Sequence, residues 1–529
     1  MLLWLLVALR SGAVRRELAA SWRSLPKLAW AWYGLCVIAI AAFATQPVTW
    51  IATGLYHYGF VRWFAQQGVT PGLTLLNRQF GFVSAWFAIA APFSPAWLDG
   101  RASSLMNGFV TLVAALQISL SVYSILRQRA QHSDWFLALF SICIFGLTTQ
   151  TLLLSAVTVS ASPDIAVAWL TAVIAWCLLV SCPIDTPSDH SALLPIILAA
   201  GAVSIKLTAL PLLVVSAGYY VMLNAHWKRL LKLLLLITVL LLPLLSATVV
   251  ISSCPLYPST VLCFDLPWAE SEASLNELAD ASHGWASWYG EPEASNNRTL
   301  WLIMQWVQSG PSSKLSAALV VMSLLSALYL FVGRSLWGRL PANASPAGRL
   351  TTRNSQRLLS FNLLAPKLYA LIALSAVGIT FVMLKASLFR FGMGVLLLLP
   401  ILVVSLACSD LFNRPKGGQI VFPKWAVKAG ISVGVLCAIA LNAHLYSSAG
   451  TLTAQATDSW LLPPPLPEVA VTTERVNGTT YYLTQDERGR CWASKLPCVS
   501  ILPSDVVVID PSVGIASGFK HLSEKKAQP

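Results

Sequence analysis

Few side chains in this 529-residue sequence could do chemistry, and they are unevenly placed. The stretch Thr53 to Phe87 reads TGLYHYGFVRWFAQQGVTPGLTLLNRQFGFVSAWF and sets Tyr56, His57, Arg62, Asn77 and Arg78 among many aromatics. His57 is a candidate base, because an unperturbed imidazole titrates near ~6.5. Asp164 follows Ser162-Pro163 at the head of an apolar run, and Asp99 stands in Trp97-Leu98-Asp99-Gly100-Arg101. A carboxylate at either place could take a proton from an attacking hydroxyl. Each also has a structural reading: Asp164 suits a helix N-terminus, and Asp99 suits a turn before Gly100. Lys206 and Arg390 interrupt long apolar stretches, where a charge is costly and usually functional. Arg offers phosphate a planar fork, although a lysine can also snorkel to the interface. The acids Asp265, Glu270, Glu272, Glu277, Asp280, Glu291 and Glu293 read as a solvated face.

These residues must be positioned by membrane helices. Hydrophobic residues make up 56% of the chain, charged residues only 11%, and mean hydropathy is +0.67. Soluble proteins carry about 25% charged residues. Apolar runs near 29–46, 104–126, 135–158, 164–182, 192–205, 207–223, 230–251, 315–333, 367–386, 391–410 and 425–447 predict about 11 transmembrane helices, most close to the ~20 residues a crossing needs. With the N-terminus inside, twenty of the 35 Lys and Arg fall on the cytoplasmic side. That asymmetry fixes orientation. The net charge of +13 is then a topology signal and gives no reason to expect nucleic acid. Residues 1–9 are too short to span and lack a cleavage site, so they read as an inner-leaflet stub.

The sequence divides into a cytoplasmic segment 1–27, a transmembrane module 28–447 and an outer tail 448–529. In the first outer loop, Tyr56, Phe60, Trp63 and Phe64 recur at helical spacing, which predicts a helix lying in the membrane interface. A second is expected over Phe80 to Ala91. The tail follows a Pro-rich linker and shows strand-like runs at 469–473, 479–483 and 506–509, with Asn477-Gly478 as a hairpin turn. Cys254, Cys263, Cys491 and Cys498 fall outside the membrane, where an oxidising compartment makes disulfides of both pairs. No Walker sequence, dinucleotide-binding glycine turn or His-Glu-x-x-His stretch is present, and no motif requires a divalent metal.

The chain resembles a family of bacterial multi-span proteins related to the GT-C glycosyltransferases. The resemblance rests on Thr53 with Tyr56-His57, Trp63, Val69-Thr70-Pro71-Gly72-Leu73 and Gly81-Phe82-Val83-Ser84 before Trp86-Phe87. Further matches are Leu105-Met106-Asn107-Gly108, Ser162-Pro163-Asp164, Lys206-Leu207-Thr208, Pro255 to Ser259, Arg390-Phe391-Gly392 and Cys491 to Cys498. It implies an all-α polytopic membrane fold of GT-C type, with interfacial helices in the first outer loop and a small β-rich outer domain. It also implies transfer of a sugar from a polyprenyl-phosphate carrier to an envelope glycan or lipid at the outer face of the inner membrane. The expected base would come from Asp164, Asp99 or His57, and Arg390, Lys206, Tyr56, Arg62 and Asn77 would contact phosphate or substrate. The chain departs at one place: Ala52 stands where the family keeps an Asp, and alanine cannot take a proton. A scaffold that has lost catalysis and serves as an assembly or interaction subunit is the rival reading. A transporter of a lipid-linked or polar solute ranks after it, because no repeated half is visible.

Overall fold

The structure is a computed structural model. It describes residues 27–412 and 463–522, apart from 99, 102–104, 128–129, 151, 181–188, 224–225, 284–288, 290–297, 338–350 and 386, together with the isolated residues 12, 15, 16 and 19. Asp99 and the predicted span 425–447 lie outside the described residues.

The apolar runs fold as helices. They are α1 (Lys27–Ala44), α4 (Leu105–Leu126), α5 (His132–Gln150) with its short continuation α6 (Leu152–Thr158), α7 (Asp164–Val180), α8 (Asp189–Ile205), α9 (Leu210–Leu223), α10 (Trp227–Ser252), α13 (Pro311–Trp337), α14 (Thr351–Lys385) and α15 (Phe389–Phe412). Among the described residues, five are long and apolar enough to cross a membrane, within α4, α10, α13, α14 and α15. Five shorter apolar helices occupy other predicted spans, at Trp30–Ala44, His132–Thr148, Asp164–Val180, Leu193–Ile205 and Leu207–Leu223. The chain is an integral membrane protein by this measure.

The helices sort into a centre and a periphery. Two thirds of the span in α15 is buried (67%), against 17% in α10. On α10 the side chains of Leu230, Leu231, Leu234, Leu235, Val239 and Leu242 are all exposed. Such a continuous apolar surface suits lipid rather than water. The buried bundle core includes Ile144, Trp169, Ala172, Ile196, Leu374, Met393 and Leu396.

A second core lies at one end of the bundle, where the loop between α1 and α4 meets the tail. The loop opens with a π turn (Thr53–His57), continues as α2 (Tyr58–Gln66), passes a 3-10 turn at Arg78–Gly81 and ends in α3 (Ala85–Ala90). The predicted helix over Phe80 to Ala91 is thus shorter, because Ser84 caps it by accepting the Trp86 amide at 3.1 Å. Tyr58, Phe60 and Trp63 are at most 1% exposed. Phe60 stacks on Phe64 and Phe87, and Trp63 meets Phe519 of the tail edge-on. Phe60 and Trp63 of the predicted aromatic face therefore pack on protein. Each such burial is worth about 1.5–3 kcal/mol.

The tail is a small β unit. β1 (Val471–Val476) and β2 (Thr479–Thr484) pair antiparallel from Val471↔Thr484 to Val476↔Thr479. Asn477 and Gly478 turn the hairpin with φ of 50° and 80°, the left-handed pair a tight two-residue turn requires. β3 (Cys498–Val499) adds parallel to β2, and β4 (Val506–Val508) pairs with β5 (Phe519–His521). Both expected disulfides, Cys254–Cys263 and Cys491–Cys498, are present.

Candidate functional site

The site gathers from three helix ends, each fixed by a residue of a different segment. α7 starts at Asp164 after Pro163, and Ser162 Oγ accepts the Asp164 amide at 3.4 Å. The turn before it is held by Asn107 of α4, which is fully buried. Its Nδ2 donates to the carbonyls of Ser160 at 2.8 Å and Ser162 at 2.9 Å. Lys206 sits in extended backbone between α8 and the 3-10 turn Leu207–Ala209. The carbonyl just before it, on Ile205, accepts from Ser84 Oγ at 2.6 Å. Arg390 is the second residue of α15. The Ser387 carbonyl ahead of it accepts from Trp306 Nε1 at 2.9 Å, and Trp306 lies in α12 (Arg298–Gln308).

These ends bring one carboxylate and two cations together. Lys206 Nζ donates to Asp164 Oδ1, and Arg390 Nε faces Asp164 Oδ2 at 3.6 Å. The Asp164 side chain is 3% exposed, whereas Lys206 and Arg390 keep 20% and 22%. The anion is sealed and the cations are partly open, so the cluster presents a net positive face. Aromatic rings back the cations. The Phe391 ring centre lies 3.4 Å from Lys206 Nζ and 4.7 Å from the Arg390 guanidinium, and that of Trp50 lies 4.7 Å from Arg390. Such contacts stabilise a desolvated cation by up to ~2 kcal/mol. The cluster lines a narrow cleft of about 20 Å³, whose other walls include Thr171, Thr208, Leu212, Val382 and Val395.

The loop between α1 and α4 leans on this cluster. His57 is 1% exposed and its ring lies 5.2 Å from that of Phe87. Burial pushes the His57 imidazole down to about 3, Asp164 opposes this, and Lys206 and Arg390 add to it. His57 is therefore neutral near pH 7. Tyr56 packs against His57 and Phe87 and feels the charges of Asp164 and Arg390.

Of the sequence candidates, Asp164, Lys206, Arg390, His57 and Tyr56 come together. Arg62 does not join them: its Nη1 donates to the carbonyls of Ala493 and Ser494 in the tail. Asn77 makes local bonds, accepting from the Gln79 amide at 2.9 Å and donating to the Leu55 carbonyl at 3.2 Å. Glu270 departs from the solvated face expected of it. Its side chain is 7% exposed and pairs with Arg78 at 3.6 Å. Trp50, Thr53, Phe391, Ser84 and Asn107 were not singled out as site residues. All but Trp50 lie in stretches that carry the family resemblance, which was the available signal. Among the described residues no group of three His, Cys, Asp or Glu could hold a metal ion.

A family model described as "Domain of unknown function (DUF8201)" matches residues 1–397 of the 529. The chain belongs to this family. No curated protein and no solved structure matches it.

Proposed function

We propose that this protein, with 11 transmembrane helices, a cytoplasmic N-terminus and an extracytoplasmic tail, is a GT-C-like transferase of the inner membrane. It takes a sugar from a polyprenyl-phosphate carrier and passes it to an envelope glycan or lipid. The observation that supports this is the meeting of one sealed carboxylate with two partly open cations at the bundle end that also carries both disulfides. That end faces an oxidising compartment.

The reaction follows from the charges. The carrier phosphate competes with Asp164 for Lys206 and Arg390. A carboxylate released from two cations becomes a better base, and Asp164 takes the proton of the acceptor hydroxyl. The acceptor oxygen attacks the anomeric carbon as the bond from that carbon to the phosphate oxygen breaks. The polyprenyl phosphate leaves with its negative charge offset by Lys206 and Arg390. Asp164 thus serves in place of the acid that Ala52 lacks.

The test is sugar transfer by the purified protein in nanodiscs. Asp164→Asn and Arg390→Ala are expected to lower kcat at least ~100-fold, the usual scale for a general base. A second reading, a scaffold that binds without catalysis, is favoured by the engagement of both Asp164 oxygens. It predicts a wild type silent on every donor. Gain of transfer in Ala52→Asp alone would then identify a retired catalytic site.

A further inference from the structure

Helix α12 (Arg298–Gln308) turns apolar side chains outward. Leu300, Ile303 and Met304, spaced i, i+3 and i+4, are 59%, 47% and 51% exposed. Trp306 is buried and donates its Nε1 to the Ser387 carbonyl. A helix on a water-facing surface does the opposite, with its apolar stripe against protein and its polar residues outward. A contiguous exposed apolar face marks contact with a partner or a membrane.

The surroundings choose the membrane. With 11 residues, α12 is about 16 Å long. That is about half of the ~30 Å hydrocarbon core, so the helix can lie on a bilayer but cannot cross it. Only Ser309 and Gly310 separate it from α13, whose span begins at Pro311 and exposes Leu324, Leu325 and Leu328. α12 thus sits where the chain enters the membrane. The same end of the bundle exposes Phe93 and Trp97 ahead of α4, and Leu262 and Phe264 after α10. α4 packs on α1 and α5, α10 on α8 and α9, and α13 on α14 and α15, so these apolar groups stand beside different parts of the bundle. One flat surface reaches all of them, whereas a protein partner would have to wrap around the molecule.

We propose that α12 is an interfacial helix whose partner is the lipid surface at the tail end of the bundle. Leu300, Ile303 and Met304 reach ~5–10 Å into the boundary between headgroups and acyl chains. Through Trp306, the helix holds the turn ahead of Arg390 near that depth. This role goes beyond the transferase reading and serves a catalyst and a scaffold alike.

The experiment places a fluorescent amino acid at Ile303, and in a second protein at Met304, in phosphatidylcholine nanodiscs. Lipid nitroxides near the headgroup end or the methyl end of the acyl chain quench from within the bilayer, and iodide quenches from water. Val239 of α10 and Glu474 of β1, both exposed, give the references for lipid and water. Both α12 positions should be quenched several-fold more by the shallow nitroxide than by the deep one or by iodide. Strong quenching by iodide overturns the proposal, because the face then stands in water. Quenching by none of the three also overturns it, because protein then covers the face. Trp306→Phe keeps a ring and removes the donor. It should raise amide exchange over residues 387–390 and leave the quenching at Ile303 unchanged. Unaltered exchange would overturn the tie between α12 and Arg390.

Discussion

Two ionic clusters sit at the same end of the molecule and differ in every respect that matters for binding. In the first, one acid meets two bases at the ends of α7, α8 and α15, and only the bases retain access. In the second, two acids meet one base: Arg78 of the loop between α1 and α4 pairs with Glu270 and with Glu277 of α11 (Glu272–His283). Glu270 is further satisfied by Ser274 Oγ at 2.8 Å and by the Tyr257 hydroxyl at 3.4 Å, which also donates to the Arg78 carbonyl at 2.8 Å. Burial and the neighbouring Glu270 push the Tyr257 phenol up, so it remains a donor across the ordinary pH range. Arg78 and Glu277 are 48% and 74% exposed. The Arg78 cluster carries excess acid, and the carboxylate of its central Glu270 is met by Ser274, Tyr257 and Arg78. The Asp164 cluster stands beside unmet donors and carries excess cation, the feature on which the proposed function draws.

The sharpest way to break this contrast is to remove the central acid of each cluster. Asp164→Leu leaves Lys206 and Arg390 facing each other in a poorly hydrated place. The expected loss is about 3–5 kcal/mol, the usual cost of stranding a buried charge. Thermal unfolding in nanodiscs checks it. Adding Lys206→Met should recover a large part of the loss, because the stranded charge and not the lost packing is the cause. A wild-type-like melting curve for Asp164→Leu would show that the cluster contributes nothing to the fold.

A smaller effect tests what the first cluster depends on. The π turn is held from outside by the tail, since the Gly54 carbonyl accepts the amides of Cys491 at 2.8 Å and Trp492 at 3.0 Å. A Cβ on Gly54 would lie 2.6 Å from the Trp492 indole. Gly54→Ala should cost about 1–3 kcal/mol through overpacking. It should also raise amide exchange over residues 53–58 without affecting α15. Unchanged exchange in that segment would mean that the tail does not position the loop.

Much of this was legible in the sequence, for reasons that differ by element. The helices follow from apolar runs whose periodicity and length leave few alternatives. The hairpin follows from Asn477-Gly478 between alternating residues. The pairing of Asp164 with Lys206 and Arg390 was not legible, because 42 and 226 residues separate them and only the packing of α7, α8 and α15 joins them. Asn107 and Ser84 read as motif residues without a role. Their work is to fix the backbone on which Asp164 and Lys206 stand, and backbone contacts leave no mark in composition. The protein contacts of the α2 aromatics were not legible, because a helical apolar face looks the same whether protein or lipid covers it. Phe519, more than 400 residues away, decides between them. Arg62 was misread for the same reason: its partners are main-chain carbonyls in the tail.

The next expected effect is smaller. Glu270→Ala removes the hub of the second cluster, but Arg78 remains hydrated and no charge is stranded. The cost is expected near 1 kcal/mol, the net worth of a hydrogen bond or two, and well below that of Asp164→Leu in the same unfolding assay. Equal losses for the two substitutions would erase the distinction between a structural network and a binding cluster.

The smallest effect concerns a pair that belongs wholly to the β unit of the tail. Asp486 accepts from Arg490 Nη2 at 2.6 Å and Nε at 2.9 Å. Hydrogen bonds from Arg490 hold the Asp486 carboxyl down to about 2, against roughly 3.9 for an unfolded chain. A group with a depressed folded pKa stabilises above its unfolded value, and that contribution disappears as pH falls from about 3.9 through 2. Solvent near this surface screens the pair, so its worth should stay below about 1 kcal/mol. Arg490 also lies over the Trp492 ring at 5.7 Å, next to the contact with Gly54. Unfolding of the wild type and Asp486→Asn should therefore differ at pH 6, draw together below about pH 3.9 and converge only below the folded value, at about pH 1. A difference that persists at about pH 1 would assign the effect of the substitution to packing instead of charge.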